Sequence, residues 1–211
     1  MREDVWAEFK KERDREKAAL QAVEQAIRTA NRELFGHGLA AVDSSFIWRR
    51  ALLRVTRRAA VPDEIRQYFL ECWLRYGDHI RQEVGDDHLL IRSLRVLLPP
   101  YTGPAVLLYR GESWTNRRRR TYGPYWSANR EVGEAYAATG HIRTSHGGSV
   151  LLRTLAPPAA IICAPLLECE DRYAEQEYIV DRSRLNGVEV LQHYSQVTFA
   201  EQQTLAGGAP G

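Results

Sequence analysis

Three short segments in the second half of the chain carry the side chains best suited to chemistry. The apolar run 106–111 has an arginine near its end, Arg110, and the segment 125–127 places Ser127 directly before a predicted helix. The segment 175–180 begins with two carboxylates that are two residues apart. Because side chains alternate along a strand, these carboxylates share one face if the strand begins at residue 175. Taken singly, these features are typical of a surface ion pair, a helix cap and a solvated strand edge. Together and in this order, they are a more specific signal of a functional site.

In this order the segments resemble the mono-ADP-ribosyltransferases of the arginine–serine–glutamate class, a family that includes many bacterial toxins. The family has a strand ending in Arg, then an aromatic-Ser element followed by a helix, then Glu-x-Glu. The resemblance covers roughly residues 101–205 and implies an ADP-ribosyltransferase-like split β-sandwich. The middle motif of the family is typically Ser-Thr-Ser, and Ser127-Ala128-Asn129 keeps only its first serine.

The resemblance implies a reaction in which NAD is a substrate and its nicotinamide–ribose bond is broken. Glu177 is then the carboxylate that stabilises an oxocarbenium-like transition state, and Glu175 takes a proton from the attacking group. An arginine holds the anionic part of NAD, because its planar fork suits phosphate better than lysine does. The implied NAD-binding residues are Arg110, Gly111, Tyr125, Trp126 and Ser127.

The acceptor of ADP-ribose is predicted in two ways. Within the family, the Glu-x-Glu pattern resembles that of the enzymes that modify protein arginine. Tyr173 lies in the segment that corresponds to the family's acceptor-recognition turn. The run Arg117-Arg118-Arg119-Arg120 lies between Arg110 and Ser127, and a second arginine cluster occupies residues 49–58. These clusters are either solvated surfaces of an arginine-rich chain, phosphate-binding surfaces for RNA or DNA, or a contact for an acidic antitoxin.

The elements that position these residues divide the chain into a helical region, 1–100, and a mostly β catalytic domain, 101–211. The expected fold class is therefore α+β, with the split β-sandwich following the helical accessory region. Helices are predicted from the stripe that includes Leu20 and Leu34 up to Gly36 and Gly38, from Ser44 or Ser45 to Ala60, over 63–76, over 86–98 and over 130–138. Strands are predicted at 105–109, 149–155, 160–163, 177–180, 188–191 and 197–199.

Composition excludes several other classes of protein. The chain has 211 residues, 44% hydrophobic and 27% charged, so it is long enough for a substantial core and is not disordered. Only three of its 29 basic side chains are lysines, all within the first 17 residues, so neither a P-loop lysine nor a Schiff-base lysine is available later. We expect no membrane span, no signal peptide and no disulfide framework. We also expect no metal site, because no cysteine or carboxylate joins the pair His141 and His146 at the spacing of metal ligands.

The sequence therefore predicts an NAD-dependent mono-ADP-ribosyltransferase that modifies a protein arginine or a base of RNA or DNA and releases nicotinamide. Two alternatives stay open: an NAD glycohydrolase toxin, and a non-catalytic, arginine-rich nucleic-acid-binding module on a degenerate transferase fold. We expect the protein to act in the cytoplasm, as a toxin of a toxin–antitoxin or phage-defence system. The alternative is an effector that is delivered into the cytoplasm of a target cell. A cognate antitoxin or immunity protein is the expected partner.

Overall fold

The computed structural model describes residues 2–57, 60–139, 141–165 and 177–198, which fall into two compact units, Met1–Pro99 and Pro100–Gly211. The first unit is helical and the second contains the sheet. The helices are α1 (Arg2–Thr29), α2 (Arg32–Ser44), α3 (Trp48–Val55), α4 (Asp63–Val84), α5 (Asp87–Leu97), α6 (Trp114–Arg119) and α7 (Arg130–Thr139). The strands are β1 (Val106–Ser113), β2 (Tyr125–Ser127), β3 (Ser149–Ala156), β4 (Ile161–Cys163), β5 (Glu177–Val180) and β6 (Glu189–Tyr194). None of the helices in the described ranges combines the length and apolarity that a bilayer crossing requires.

The first helical stripe is divided between two helices, α1 and α2. Ala30 adopts a left-handed conformation (φ 50°), and Asn31 caps α2 by accepting a hydrogen bond from the Leu34 amide at 2.8 Å. The prediction that Gly36 and Gly38 end a helix is wrong, because both lie inside α2. A Cβ on Gly38 would lie 2.9 Å from Cγ2 of Val23, so this glycine allows α1 and α2 to pack closely.

The remaining helices of the first unit follow the predicted pattern with different ends. α4 continues to Val84, where Gly85 ends it in the left-handed conformation (φ 59°). The helix predicted from Ser44 or Ser45 to Ala60 is shorter, since α2 ends at Ser44 and α3 covers only Trp48–Val55. The apolar faces of these helices form the interior of the unit, with Phe35, Ile65, Leu70, Trp73 and Leu94 fully buried.

The second unit is built on a six-stranded antiparallel sheet in the order β4-β5-β2-β1-β3-β6. Chain neighbours β1 and β2 are adjacent in this sheet, but β5 lies on the other side of β2. The segment that carries the predicted catalytic glutamate therefore pairs directly with the segment that carries the predicted serine. The strand predicted at 188–191 extends to Tyr194, whereas 197–198 forms no strand and residue 199 lies outside the described residues.

The two halves of the sheet are joined by little backbone pairing. Strand β1 is in register with β3 over its whole length, from Val106↔Ala156 to Ser113↔Ser149, but with β2 at the single pair Tyr109↔Ser127. The strands β4, β5 and β2 thus form one half of the sheet, and β1, β3 and β6 form the other.

The two faces of the sheet are covered differently. Leu108, Trp126, Leu152 and Val180 lie on one face and belong to a buried apolar cluster. Helix α7 packs on the opposite face, where the Ser149 hydroxyl donates to the carbonyl of Ala137 at 2.5 Å. Because paired residues in antiparallel strands share a face, the register assigns every residue of β1, β2 and β5 to one side or the other.

Candidate functional site

Ser127 and Glu177 occupy facing positions on adjacent strands. The ladder runs Tyr109↔Ser127↔Glu177 across β1, β2 and β5, so the three side chains leave the same face of the sheet. Ser127 is buried (5% exposed) and Glu177 is partly exposed at the first position of β5. The structure thus brings the predicted serine and the predicted catalytic glutamate together, with Tyr109 as their neighbour on β1.

The start of α7 lies beside this pair. The Ser127 hydroxyl oxygen accepts a hydrogen bond from the Asn129 amide at 2.9 Å, and the Asn129 side chain accepts one from the Glu131 amide at 2.9 Å. These bonds fix the turn between β2 and α7. Because the positive end of the helix dipole is at Arg130, three residues after Ser127, this turn favours a negatively charged group nearby.

Arg110 leaves the sheet on the face opposite Ser127 and Glu177, since it is one residue beyond Tyr109 on a regular strand. Its Nε donates to Glu112 at 2.9 Å, and its Nη1 donates to the backbone carbonyl of Tyr125. The guanidinium therefore anchors the first residue of β2. Contact between Arg110 and NAD stays a prediction, and the contacts it makes here position the strand that carries Ser127.

The partner of Arg110, Glu112, is a buried carboxylate with several hydrogen-bond donors around it. Glu112 is 2% exposed and accepts hydrogen bonds from the Ser113 amide, the Asn116 side chain and the Gly123 amide as well as from Arg110. Burial by itself would raise the pKa of the Glu112 carboxyl, but the Arg110 cation and the hydrogen bonds outweigh burial and lower the pKa below its ordinary value. Glu112 is therefore an ionised carboxylate whose hydrogen bonds connect β1, α6 and the segment before β2.

Packing accounts for two of the residues that the sequence assigned to NAD. Gly111 lies under α7, and a Cβ there would collide with the helix backbone at Gly133 and Ala137. Trp126 is 1% exposed in the apolar cluster, edge-on to Tyr122 with ring centroids 6.0 Å apart, which leaves no ring surface for a cofactor. Tyr125 is partly exposed on the same face as Ser127, where its contact with NAD stays a prediction.

The four consecutive arginines separate into different environments. Arg117 is tied inward, donating to the Tyr122 hydroxyl at 3.0 Å and to the Val188 carbonyl at 3.2 Å. Arg118 and Arg119 are exposed and line a cleft of about 440 Å³ together with Trp114, Thr115 and His146. Arg120 is exposed at the end of α6 in the left-handed conformation (φ 55°) and does not line the cleft.

The arginines of the 49–58 cluster that lie in α3 are compensated by carboxylates of their own unit. Arg54 pairs with Glu24 at 3.1 Å, Arg49 with Asp86 at 3.5 Å, and Arg50 with Glu16. Three of the five arginines in the 49–58 cluster, which was a candidate phosphate-binding surface, are thus ion-paired. The cluster fits the interpretation of a solvated, ion-paired helix face better than that of a nucleic-acid surface.

Some predicted residues lie outside the described residues, and some important ones were missed. Glu175, Tyr173 and the acceptor-recognition turn fall within 166–176, which the structure does not describe. Glu112 was missed, although a carboxylate two residues after Arg110 on one strand signals an ion pair on one face. Trp114 and His146 were missed because they are far apart in sequence and meet only through the fold.

Comparison with other proteins adds no assignment: no family model matches the chain, and neither the curated proteins nor the solved structures include a match.

Proposed function

We propose that the chain is an NAD-dependent mono-ADP-ribosyltransferase that acts on a macromolecule. The observation that carries the proposal is the ladder Tyr109↔Ser127↔Glu177, which places a buried hydroxyl and a partly exposed carboxylate on one face at the start of α7. The strands form one six-stranded sheet, and the single backbone pair between β1 and β2 is the place where the split of the proposed split β-sandwich would lie.

The proposed reaction breaks the bond between ribose C1′ and the nicotinamide nitrogen, and nicotinamide leaves with the electron pair. The Glu177 carboxylate stabilises the positive charge that develops on the ribose. A nucleophile of the acceptor then bonds to C1′ and loses its proton, for which Glu175 is the proposed base. The positive end of α7 supports the pyrophosphate. Arg110 contributes by holding β2, and therefore Ser127, in place.

The test compares the full-length protein with Glu177→Gln. We expect the substitution to lower the rate of nicotinamide release by at least about a hundredfold, because it removes a preorganised charge from the transition state. Glu189→Gln is the matched control: Glu189 also begins a strand, but it lies on β6 at the other end of the sheet order and forms an exposed ion pair with Arg153. Equal rates for the wild type and Glu177→Gln would reject the proposal and favour the non-catalytic binding module.

A second measurement identifies the acceptor class. NAD labelled on its adenylate phosphate is incubated with the protein and a cell lysate, and separate portions are digested with protease or nuclease. Label lost only to nuclease indicates a nucleic-acid acceptor, and label lost only to protease indicates a protein acceptor. Consumption of NAD without labelled macromolecule would instead indicate an NAD glycohydrolase. A role as a toxin, with a neutralising antitoxin or immunity protein, is proposed together with this activity.

A further inference from the structure

A cationic and aromatic cleft lies at the end of β1, away from the Ser127–Glu177 pair. Its lining residues are Trp114, Thr115, Arg118, Arg119 and His146. The cleft has a volume of about 440 Å³, which is within the range of ligand pockets, and no acidic residue is among the described residues that line it. Neither Arg118 nor Arg119 forms an ion pair with a carboxylate in the part of the chain that the structure describes.

The aromatic side of the cleft is held in place before any ligand binds. The Trp114 ring lies edge-on to His193, with ring centroids 5.3 Å apart. The loop that carries His146 lies against the ring, because Gly147, in the left-handed conformation (φ 82°), has no side chain that would collide with it. The Thr115 hydroxyl donates to the His146 carbonyl at 3.2 Å and ties α6 to this loop. A fixed ring can bind a planar group without losing further conformational freedom.

The distance to Glu177 indicates what kind of molecule occupies the cleft. Ser113, at the end of β1, is four residues from Tyr109, the β1 member of the ladder Tyr109↔Ser127↔Glu177, which corresponds to about 14 Å along the strand at ~3.4 Å per residue. The cleft is therefore too far from Glu177 to hold the reacting atoms. It is suited to a flanking part of a long acceptor.

We propose that this cleft binds single-stranded nucleic acid, with Arg118 and Arg119 contacting phosphates and an unpaired base stacking on Trp114. This inference rests on the proposed function in that the bound strand is the acceptor of ADP-ribose. Two exposed guanidinium groups beside an aromatic ring match the alternation of phosphate and base along a strand. A single strand is required because a duplex keeps its bases stacked on one another and unavailable to the ring.

Binding is measured by fluorescence anisotropy, without NAD, between the full-length protein and labelled RNA and DNA oligonucleotides of about 12 nucleotides. We expect the double variant Arg118→Ala/Arg119→Ala to bind at least tenfold more weakly. The plot of log affinity against log salt should also become shallower by about 1.4, at ~0.7 per phosphate contact. Alanine keeps the α6 helix favourable. Arg120→Asn is the matched control, because it removes the adjacent charge outside the cleft and asparagine tolerates the left-handed conformation.

The contribution of the base is isolated with an abasic oligonucleotide that keeps every phosphate. The wild type should prefer the base-bearing strand, and Trp114→Ala should lose that preference while keeping the salt dependence. In the transferase assay, the arginine double variant should raise the KM for the nucleic-acid acceptor.

Three results would overturn the inference: no binding of RNA or DNA by the wild type, equal binding by the double variant, or binding of an oligo-glutamate peptide in place of nucleic acid. Because the anisotropy assay contains no NAD, failure of the cleft is distinguished from failure of the transferase. A protein whose cleft binds nucleic acid but whose Glu177→Gln variant is as active as the wild type would keep this inference and lose the proposed reaction.

Discussion

At the scale of single residues, Glu112 joins several elements of the sheet unit. It connects Arg110, the first turn of α6 and the segment before β2 through bonds to both of its oxygens. A buried carboxylate is tolerated in a protein interior only when its partners replace the water it has lost. Arg110 and Glu112 therefore form a unit, and neither can be altered without leaving the other uncompensated.

Replacing Glu112 by Gln should destabilise the protein by about 3 kcal/mol at pH 7, because Arg110 then lacks its partner in a buried site. The measurement is urea-induced unfolding of the two proteins. Glu189→Gln, which removes only an exposed ion pair, should lower the stability much less.

The same residue makes the stability depend on pH in a defined direction. The pKa of Glu112 is lower in the folded protein than its ordinary value of 4.5, so the ionised carboxylate stabilises the fold above pH 4.5. That contribution is lost as the pH falls from 4.5 through the folded pKa. The stability difference between wild type and Glu112→Gln should therefore shrink below pH 4.5, and a constant difference over this range would contradict the role given to Glu112.

At the scale of elements, the approach of α7 to β1 depends on two glycines that face each other. Gly111 lies under the helix, and a Cβ on Gly133 of α7 would lie 3.0 Å from Cβ of Tyr109. This close packing places the first turn of α7 beside Ser127. The glycine after Arg110 therefore has a structural role in the sequence motif.

Gly111→Ala should destabilise the protein by about 1–3 kcal/mol, because the added methyl group collides with helix backbone that cannot move away like a side chain. Chemical denaturation measures the loss. Gly187→Asn is the comparison: Gly187 has φ 67° with open space around it, so asparagine should change stability by only about 0.5 kcal/mol. A similar loss for both substitutions would indicate that backbone conformation, and not the packing of α7 on β1, determines the effect.

Sequence reasoning predicted most elements of this fold and only part of its site. Helix α5 matches its prediction to within one residue at each end, and β5 matches it at both, because their apolar patterns end at strong signals. The helix end predicted at Gly36 and Gly38 was wrong. These glycines allow close contacts with Tyr68 and Val23, which are distant in sequence. The structure puts Ser127 and Glu177 at facing positions and Arg110 on the opposite face, and this register is not revealed by the sequence alone.

At the scale of the whole molecule, the chain contains two units, each with its own buried core. The first unit, Met1–Pro99, buries residues from all five of its helices, and Pro99 and Pro100 lie at the boundary between the units. A unit with its own hydrophobic core is expected to fold by itself.

The fragment 1–99 should therefore be helical by far-ultraviolet circular dichroism and unfold in one cooperative thermal transition. The full-length protein is the reference for helix content. A fragment without a cooperative transition would show that the helical region requires the sheet unit to fold.

The loop that carries His146 is fastened to the residues that follow β6. Arg143 donates to the Ser195 carbonyl at 3.2 Å, and the Gly147 amide donates to the Gln196 side chain at 3.2 Å. During synthesis, these partners leave the ribosome about 5–20 s after the helical unit is complete, at ~5–20 residues per second. A nascent chain thus displays the helical unit well before its cationic cleft can form, so any molecule that binds the helical unit alone would meet the chain before the cleft exists.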